Sequence, residues 1–140
     1  MELRISASAF STYSANSQSN PAFYMEQMKV LIVDDNEKIR ALVRDYLPAS
    51  FDQIYECADG ADALDYYEAH RPDWVLMDWE MRTDGLTATR RIIKAHPEAR
   101  VLIVTQHDDD GLRDAAIEAG ARGFVLKDDL LALGSFLEKR

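Results

Sequence analysis

The chain has 140 residues and a formal net charge of −9, and 47% of its residues are hydrophobic. This length and composition predict one soluble globular domain with a sizeable core. The acidic balance argues against direct nucleic-acid binding, which needs clustered Lys and Arg, and no apolar run approaches the roughly 18 residues that span a bilayer. Cys57 is the single cysteine, so an internal disulfide is excluded, and we predict a cytoplasmic protein with no membrane partner.

The first 27 residues differ in composition from the rest of the chain. They are rich in Ser, polar and without a hydrophobic period, and they lack the apolar core of a secretory signal. We therefore predict that residues 1–27 form a disordered N-terminal extension and that residues 28–140 form one domain.

From residue 28 onward, strand-like runs alternate with helix-like patterns. The apolar runs, rich in Val, Ile and Leu, are typical of strands buried on both faces of a parallel sheet. In chain order the predicted strands are Val30–Val33, Gln53–Cys57, Trp74–Met77, Val101–Val104 and Phe124–Leu126.

Five amphipathic patterns predict a helix after each strand. The first carries Ile39, Leu42, Val43, Tyr46 and Leu47 and ends at Pro48. The others are predicted to run from about Ala61 to His70, from Gly85 towards Pro97, from about Leu112 to a C-cap at Gly120, and from about Asp128 onward.

Five strand–helix units predict an α/β fold with a doubly wound, five-stranded parallel sheet of flavodoxin-like order 2-1-3-4-5. The eight-fold barrel needs about 250 residues and is excluded by length. In the predicted order the first and third strands are neighbours at the switch point of the sheet. This order places Asp34 and Asp35, which follow the first strand, beside Asp78, which follows the third.

The residues at the strand ends suit phosphoryl-transfer chemistry. Three crowded carboxylates repel one another unless a cation is present, and Mg²⁺ prefers oxygen ligands of this kind. Asp78 can act as the nucleophile, because aspartyl phosphates are a known covalent strategy. Thr105 ends the fourth strand and can donate a hydroxyl hydrogen bond, while Lys127 ends the fifth and can supply a mobile positive charge.

Taken in order, these strand-end residues resemble the receiver domain of two-component response regulators. The resemblance covers about residues 29 to 138 and includes three short motifs. They are Val33-Asp34-Asp35-Asn36, Asp84-Gly85-Leu86 at the start of the third helix, and Ala119-Gly120-Ala121-Arg122-Gly123-Phe124-Val125-Leu126-Lys127.

The resemblance implies a role for each matching residue. Asp78 is expected to be the phospho-acceptor in a Mg²⁺ site. Asp35 is expected to bind the metal directly, Asp34 to bind it through water, and Glu80 to bind it through its backbone carbonyl. Catalysis is expected to use Asp78 together with the hydroxyl of Thr105 and the ammonium of Lys127.

The same resemblance implies two further pairs of functional residues. Thr105 and Phe124 are expected to be the switch residues, the aromatic ring turning inward as the hydroxyl moves towards the phosphoryl group. Glu80 and His107 stand two places beyond Asp78 and Thr105, at positions that tune the lifetime of the phosphoryl group in this family.

The expected function is a signalling switch that catalyses only its own phosphorylation and dephosphorylation. A histidine kinase or phosphotransfer protein is the expected phosphoryl donor. The short stretch after Lys127 holds one helix, so a stand-alone receiver without an output domain is predicted. Its downstream protein partner is expected to bind the face of the fourth helix, fifth strand and fifth helix.

The match departs from the family in the loop after Asp78. Arg82 stands where family members usually have a proline, and the stretch before Gly85 is one residue shorter than usual. Asp128 follows Lys127, where many receivers have a proline. These differences bear on the geometry of the carbonyl ligand and on the rate of phosphoryl loss.

Other interpretations of these residues remain open at this point. A Mg²⁺-dependent phosphatase with an aspartyl-phosphate intermediate usually needs a second Asp where Glu80 stands, and a lid for which there is no length. A flavin carrier needs a Ser/Thr/Gly-rich loop after the first strand, and a pseudo-receiver normally lacks an acidic or lysine position. Asp34 to Asn36 could also simply cap the first helix.

Overall fold

A computed structural model of the chain describes residues 27–137. The prediction of disorder for the N-terminal extension lies outside these residues, apart from Gln27. Five strands form the sheet: β1 Met28–Val33, β2 Phe51–Cys57, β3 Trp74–Asp78, β4 Val101–Thr105 and β5 Gly123–Leu126.

A helix follows each strand, as the hydrophobic patterns predict. The helices are α1 Glu37–Asp45, α2 Ala63–His70, α3 Gly85–Ala95, α4 Asp110–Glu118 and α5 Leu133–Leu137. Short 3₁₀ turns precede two of them, Gly60–Asp62 before α2 and Leu130–Ala132 before α5.

All neighbouring strands are parallel, in the order β2-β1-β3-β4-β5. This confirms the predicted doubly wound, flavodoxin-like fold. The register also aligns the ends of the strands. Val33 pairs with Met77, Asp78 pairs with Val104, and Thr105 pairs with Leu126. The residues that follow or end these strands therefore meet at one edge of the sheet.

Helices cover both faces of the sheet, and successive strand residues point to opposite faces. On one face, Val30 and Ile32 of β1 pack with residues of α1 and α5 such as Val43 and Leu133. On the other face, Leu31 belongs to the core formed with α2, α3 and α4. Burial on both faces explains the continuous apolar runs in the central strands β1, β3 and β4.

Two details of the helices differ from the predicted patterns. The apolar stripe of α1 is wider than its packed face, because Leu42 and Tyr46 are each 41% exposed while Val43 is buried. The fifth helix starts later than Asp128, since the Asp129 amide donates to the carbonyl of Leu126 in a turn. A hydrophobic period shows which residues can pack, whereas neighbouring elements decide which of them do.

Cys57, the last residue of β2, lies in the core. It is 6% exposed, and burial raises the pKa of its thiol to about 11. The thiolate is therefore scarce at neutral pH. None of the helices within residues 27–137 has the length and apolar character needed to cross a bilayer.

Candidate phosphoryl-transfer and metal site

Three carboxylates meet at the carboxyl edge of the sheet. One oxygen from each of Asp34, Asp35 and Asp78 lies within 4.8 Å of the others. Asp34 and Asp78 are buried, whereas Asp35 is exposed. This is the crevice beside the switch point at which ligands bind in open α/β sheets. The structure therefore brings together the three acidic residues that the sequence places there.

Local structure explains why Asp34 and Asp35 are available for this cluster. The N-cap of α1 is Asn36, whose Oδ1 accepts hydrogen bonds from the amides of Lys38 and Ile39 at 2.9 and 3.2 Å. Asp34 Oδ1 accepts a bond from the Asn36 amide at 2.8 Å. The alternative that Asp34 to Asn36 cap the first helix is therefore correct for Asn36, and the capping bonds at Lys38 and Ile39 do not use the carboxylates of Asp34 and Asp35.

Lys127 joins the cluster from the end of β5. Its Nζ lies 2.9 Å from Asp34 Oδ2 and 2.9 Å from Asp78 Oδ1. Burial opposes its charged form, but the hydrogen bonds to Asp78 and Asp34 outweigh burial and raise the pKa of Lys127. The Lys127 amide also donates to the carbonyl of Thr105 at 2.7 Å, so both residues are held at the same edge.

The electrostatics of the site suit a divalent cation. Burial, opposed in part by the hydrogen bond from Lys127, raises the pKa of Asp78, and the charge of Asp34 adds to this rise. Three ionised carboxylates and one ammonium leave two negative charges unbalanced. Hard carboxylate oxygens at this spacing fit Mg²⁺, which favours one or two carboxylates together with waters and a phosphate oxygen.

Thr105 and Phe124 lie on the same face of two adjacent strands. Phe124 pairs with Ile103, and Thr105 is two residues further along β4. Thr105 is 1% exposed, and its Oγ1 accepts a hydrogen bond from the His107 amide at 3.3 Å. Phe124 is buried, with the guanidinium carbon of Arg113 4.8 Å from its ring centroid. The structure thus places the expected switch residues as neighbours.

Glu80 and His107 contact each other between the loops that follow β3 and β4. Glu80 Oε2 lies 2.8 Å from His107 Nε2, and both side chains are partly exposed. The sequence places these residues at matching offsets from Asp78 and Thr105, but it does not indicate that their side chains touch. The pair links the loop after β3 to the loop after β4.

Close backbone packing holds the shortened loop after Asp78. A Cβ atom on Gly85 would lie 2.0 Å from the carbonyl oxygen of Asp78, and one on Gly60 would lie 2.5 Å from the carbonyl oxygen of Thr83. The Thr83 amide donates to Asp59 Oδ1 at 2.9 Å, and such backbone hydrogen bonds lower the pKa of Asp59. The loop is therefore well anchored without the proline usual in the family.

Sequence reasoning missed two residues that support the site, Asp59 and Arg40. Asp59 precedes α2 and bonds the Thr83 amide in the acceptor loop, 24 residues away. Arg40 lies on α1 and donates from Nη1 to the backbone carbonyl of Asp34 at 2.6 Å. Asp59 has a local signal as an N-cap, whereas the sequence carries no signal for the contact of Arg40.

The sequence matches the response regulator receiver domain family over residues 30–133. The chain belongs to the response regulator receiver family. It is 35% identical over 101 residues to the chemotaxis protein CheY of Bacillus subtilis, covering 71% of this chain and 84% of that protein. It is also 31% identical over 105 residues to the transcriptional regulatory protein DegU of Brevibacillus brevis, covering 73% of this chain.

The chain spans 44% of the length of DegU, and about half the length of several other curated relatives. Among solved structures, it is similar to a CheX-CheY-BeF3-Mg²⁺ complex from Borrelia burgdorferi, with a TM-score of 0.71 and 26% identity. That likeness covers 80% of this chain and 90% of the other. This receiver therefore belongs to two-component signal transduction. Receiver domains are signalling switches that interact with histidine kinases and phosphotransfer proteins, and they bind Mg²⁺ at an acidic pocket.

Proposed function

We propose that this receiver accepts a phosphoryl group on Asp78 from the phosphohistidine of a histidine kinase or phosphotransfer protein. The single observation that carries the proposal is the position of the Asp78 carboxylate. It is buried within the acidic cluster, with the Lys127 ammonium 2.9 Å away. A carboxylate at this edge of the sheet can be reached by an incoming phosphoryl group. The Lys127 ammonium compensates the negative charge that develops on that group during transfer.

In the proposed step, a carboxylate oxygen of Asp78 attacks the phosphorus atom. The new O–P bond forms as the N–P bond to the donor imidazole breaks, and the imidazole leaves with the bonding electron pair. Lys127 and the hydroxyl of Thr105 bind the equatorial oxygens, over which the negative charge is spread. When bound, Mg²⁺ supplies charge neutralisation and orientation for the phosphoryl oxygens.

The residues that would hold Mg²⁺ are Asp34, Asp35 and Asp78, together with the backbone carbonyl of Glu80. The three carboxylates lie close together, with one oxygen of each within 4.8 Å of the others. The close packing of Gly85 anchors the loop after Asp78 and so supports a fixed position for the Glu80 carbonyl. In this proposal Asp35 binds directly and Asp34 through water. The reaction is then dependent on Mg²⁺.

Loss of the phosphoryl group completes the proposed cycle. A water molecule attacks phosphorus, inorganic phosphate leaves, and the Asp78 carboxylate is regenerated. We assign control of this rate to Glu80 and His107, because their contact lies between the two loops that border Asp78 and so limits the approach of water.

We assign signal output to the face made by α4, β5 and α5, coupled to the site through Thr105 and Phe124. The stacking of Arg113 on Phe124 supports this assignment, because it connects the ring to α4. That the receiver acts without an output domain stays a prediction, since its relatives include both CheY and the longer DegU. The alternative of a metabolic phosphatase has no observation in its favour, because Glu80 is engaged with His107.

Intact-mass spectrometry after incubation with acetyl phosphate tests the proposal. With Mg²⁺ the unaltered protein should gain one phosphoryl group, whereas Asp78→Asn should gain none. Asp35→Ala should be labelled far more slowly, and chelation of Mg²⁺ should have the same effect on the unaltered protein. Exposed Asp52→Asn is the matched control and should be labelled normally. Equal labelling of Asp78→Asn would place the acceptor elsewhere.

A further inference from the structure

Arg40 contacts the backbone of Asp34 rather than the carboxylates of the acidic cluster. Its Nη1 donates to the Asp34 carbonyl oxygen at 2.6 Å, and its Nε donates to Glu56 Oε1 at 2.8 Å. Its side chain is 16% exposed. A guanidinium held by a carboxylate on one side and a carbonyl on the other has little freedom to rotate.

The carbonyl that Arg40 binds belongs to the peptide between Asp34 and Asp35. Its orientation sets the directions in which the two side chains leave the backbone. The other polar groups of Asp34 are also held. Its amide donates to the carbonyl of Cys57 at 3.1 Å, and its Oδ1 accepts from the amide of Asn36 at 2.8 Å. Together with Arg40, these bonds fix the peptide in one orientation.

We infer that Arg40 is a positioning residue for the metal site, which orients the Asp34–Asp35 peptide so that both carboxylates meet Asp78. The inference rests on the proposed function, because it assigns Arg40 a role in the same Mg²⁺ site. Glu56 in turn holds Arg40, so strand β2 takes part in aligning ligands that belong to the loop after β1.

Charge and positioning predict opposite effects of removing the guanidinium. A positive charge near a cation site repels the cation, so its loss alone would strengthen Mg²⁺ binding. If Arg40 positions the ligands, its loss lets the peptide turn and weakens Mg²⁺ binding. Loss of residues that orient metal ligands typically costs 10- to 100-fold in metal affinity.

Arg44 provides a matched control on the same helix. It also forms an ion pair with Glu56, its side chain is 40% exposed, and its described side-chain hydrogen bond goes to Glu56. Arg44→Met and Arg40→Met each remove one positive charge and one bond to Glu56. They differ in the bond to the Asp34 carbonyl.

The test compares Mg²⁺ affinity among the unaltered protein, Arg40→Met, Arg40→Lys and Arg44→Met. Mg²⁺ is titrated while tryptophan fluorescence is followed. Trp79 is next to Asp78, whereas Trp74, the other tryptophan, lies at the opposite end of β3. We expect Arg40→Met to bind Mg²⁺ about tenfold or more weakly and Arg44→Met to bind within about twofold of the unaltered protein. Arg40→Lys should bind Mg²⁺ with an affinity between those of the unaltered protein and Arg40→Met. Its ammonium can reach one of the two acceptors but does not offer two donors in a fixed geometry.

A second readout needs no metal. In Mg²⁺-free buffer, the backbone amide signals of Asp35 and Asn36 should shift in Arg40→Met and stay in place in Arg44→Met. If Arg40→Met does not fold, Arg40→Lys provides the comparison with Arg44→Met. Mg²⁺ binding by Arg40→Met or Arg40→Lys that equals or exceeds that of Arg44→Met would overturn the positioning role. An unaltered protein that does not bind Mg²⁺ would instead overturn the proposed function itself.

Discussion

At the scale of single residues, the main feature is a carboxylate in an unfavourable place. Asp78 is 4% exposed and lies beside Asp34, and burial raises its pKa above the ordinary value of 3.8. Ionised Asp78 therefore lowers the free energy of unfolding when no metal is bound, even with Lys127 in contact. Such a cost is typical of functional sites, where chemistry rather than stability accounts for the residue.

Asp78→Asn should raise the thermal midpoint of the metal-free protein at pH 7 by a few degrees. The raised folded-state pKa means that protonated Asp78 contributes stability at low pH, and that this contribution is lost as pH rises through the folded-state pKa. The difference between Asp78→Asn and the unaltered protein should therefore shrink as the pH approaches 3.8. Melts in chelator across this pH range provide the measurement.

Added Mg²⁺ is the internal control for this prediction. Binding that favours the native state adds about 2.7 kcal/mol at a free concentration 100 times Kd, so the unaltered protein should overtake Asp78→Asn. A metal-free Asp78→Asn that melts below the unaltered protein at pH 7 would contradict the prediction. That result would mean that the ion pair with Lys127 outweighs the burial of Asp78.

At the scale of elements, the loop between β3 and α3 carries the strictest packing requirement near the site. Gly85 begins α3 directly against the Asp78 carbonyl, and its amide donates to the carbonyl of Trp79 at 2.9 Å. The capping bond from the Thr87 amide to Asp84 Oδ1, at 2.9 Å, holds the same helix end. The loop has little room to shift, because backbone atoms lie on both sides of it.

Gly85→Ala should destabilise the protein by about 1–3 kcal/mol, because its methyl group would overlap the Asp78 carbonyl. It should also weaken Mg²⁺ binding, since the carbonyl of Glu80 lies in the displaced loop. Urea unfolding and Mg²⁺ titration measure the two effects.

Gly134→Ala is the matched control for this substitution. A Cβ atom at Gly134 would meet nothing within 4 Å, and Ala is favoured over Gly in a helix by up to about 1 kcal/mol. This variant should be as stable as the unaltered protein or slightly more so. A Gly85→Ala protein with unchanged stability and Mg²⁺ affinity would show that the loop adapts freely.

At the scale of the whole molecule, the question is how a change at Asp78 reaches a distant face. Thr105 lies on β4 at the site, and Phe124 lies on the adjacent β5 with Arg113 of α4 over its ring. Arg113 also binds Asp108, in the loop after β4, at 2.9 Å. Arg113 therefore connects the ring of Phe124 and the loop after β4 to α4. In the proposed switch, the Thr105 hydroxyl and this ring shift together.

Thr105→Ala should still be phosphorylated on Asp78 but should transmit less of the change to α4 and β5. The phosphoryl group offers the Thr105 hydroxyl a charge-assisted hydrogen bond that exists in one state only. The measurement is the set of backbone amide shifts from Leu112 to Leu126 upon phosphorylation. These shifts should be clear in the unaltered protein and much smaller in Thr105→Ala. Shifts confined to the loops around Asp35, Asp78 and Thr105 in both proteins would exclude this coupling.

The sequence by itself determined the order of the sheet and which side chains stand at its carboxyl edge. Apolar runs that end on Asp34, Asp78, Thr105 and Lys127 are local features, and the parallel fold brings such ends together without further information. The cluster of carboxylates with Lys127 was predictable for this reason.

Only the tertiary structure decided which other side chains hold the residues at that edge in position. The bond from Arg40 to the Asp34 carbonyl, the bond from Thr83 to Asp59, and the contact between Glu80 and His107 each join separate segments. The exposure of Leu42 within an apolar stripe is likewise set by neighbouring elements. Hydrophobic period and chain order carry information about elements and their ends, whereas these contacts depend on side-chain directions and distances that arise when the helices pack on the sheet.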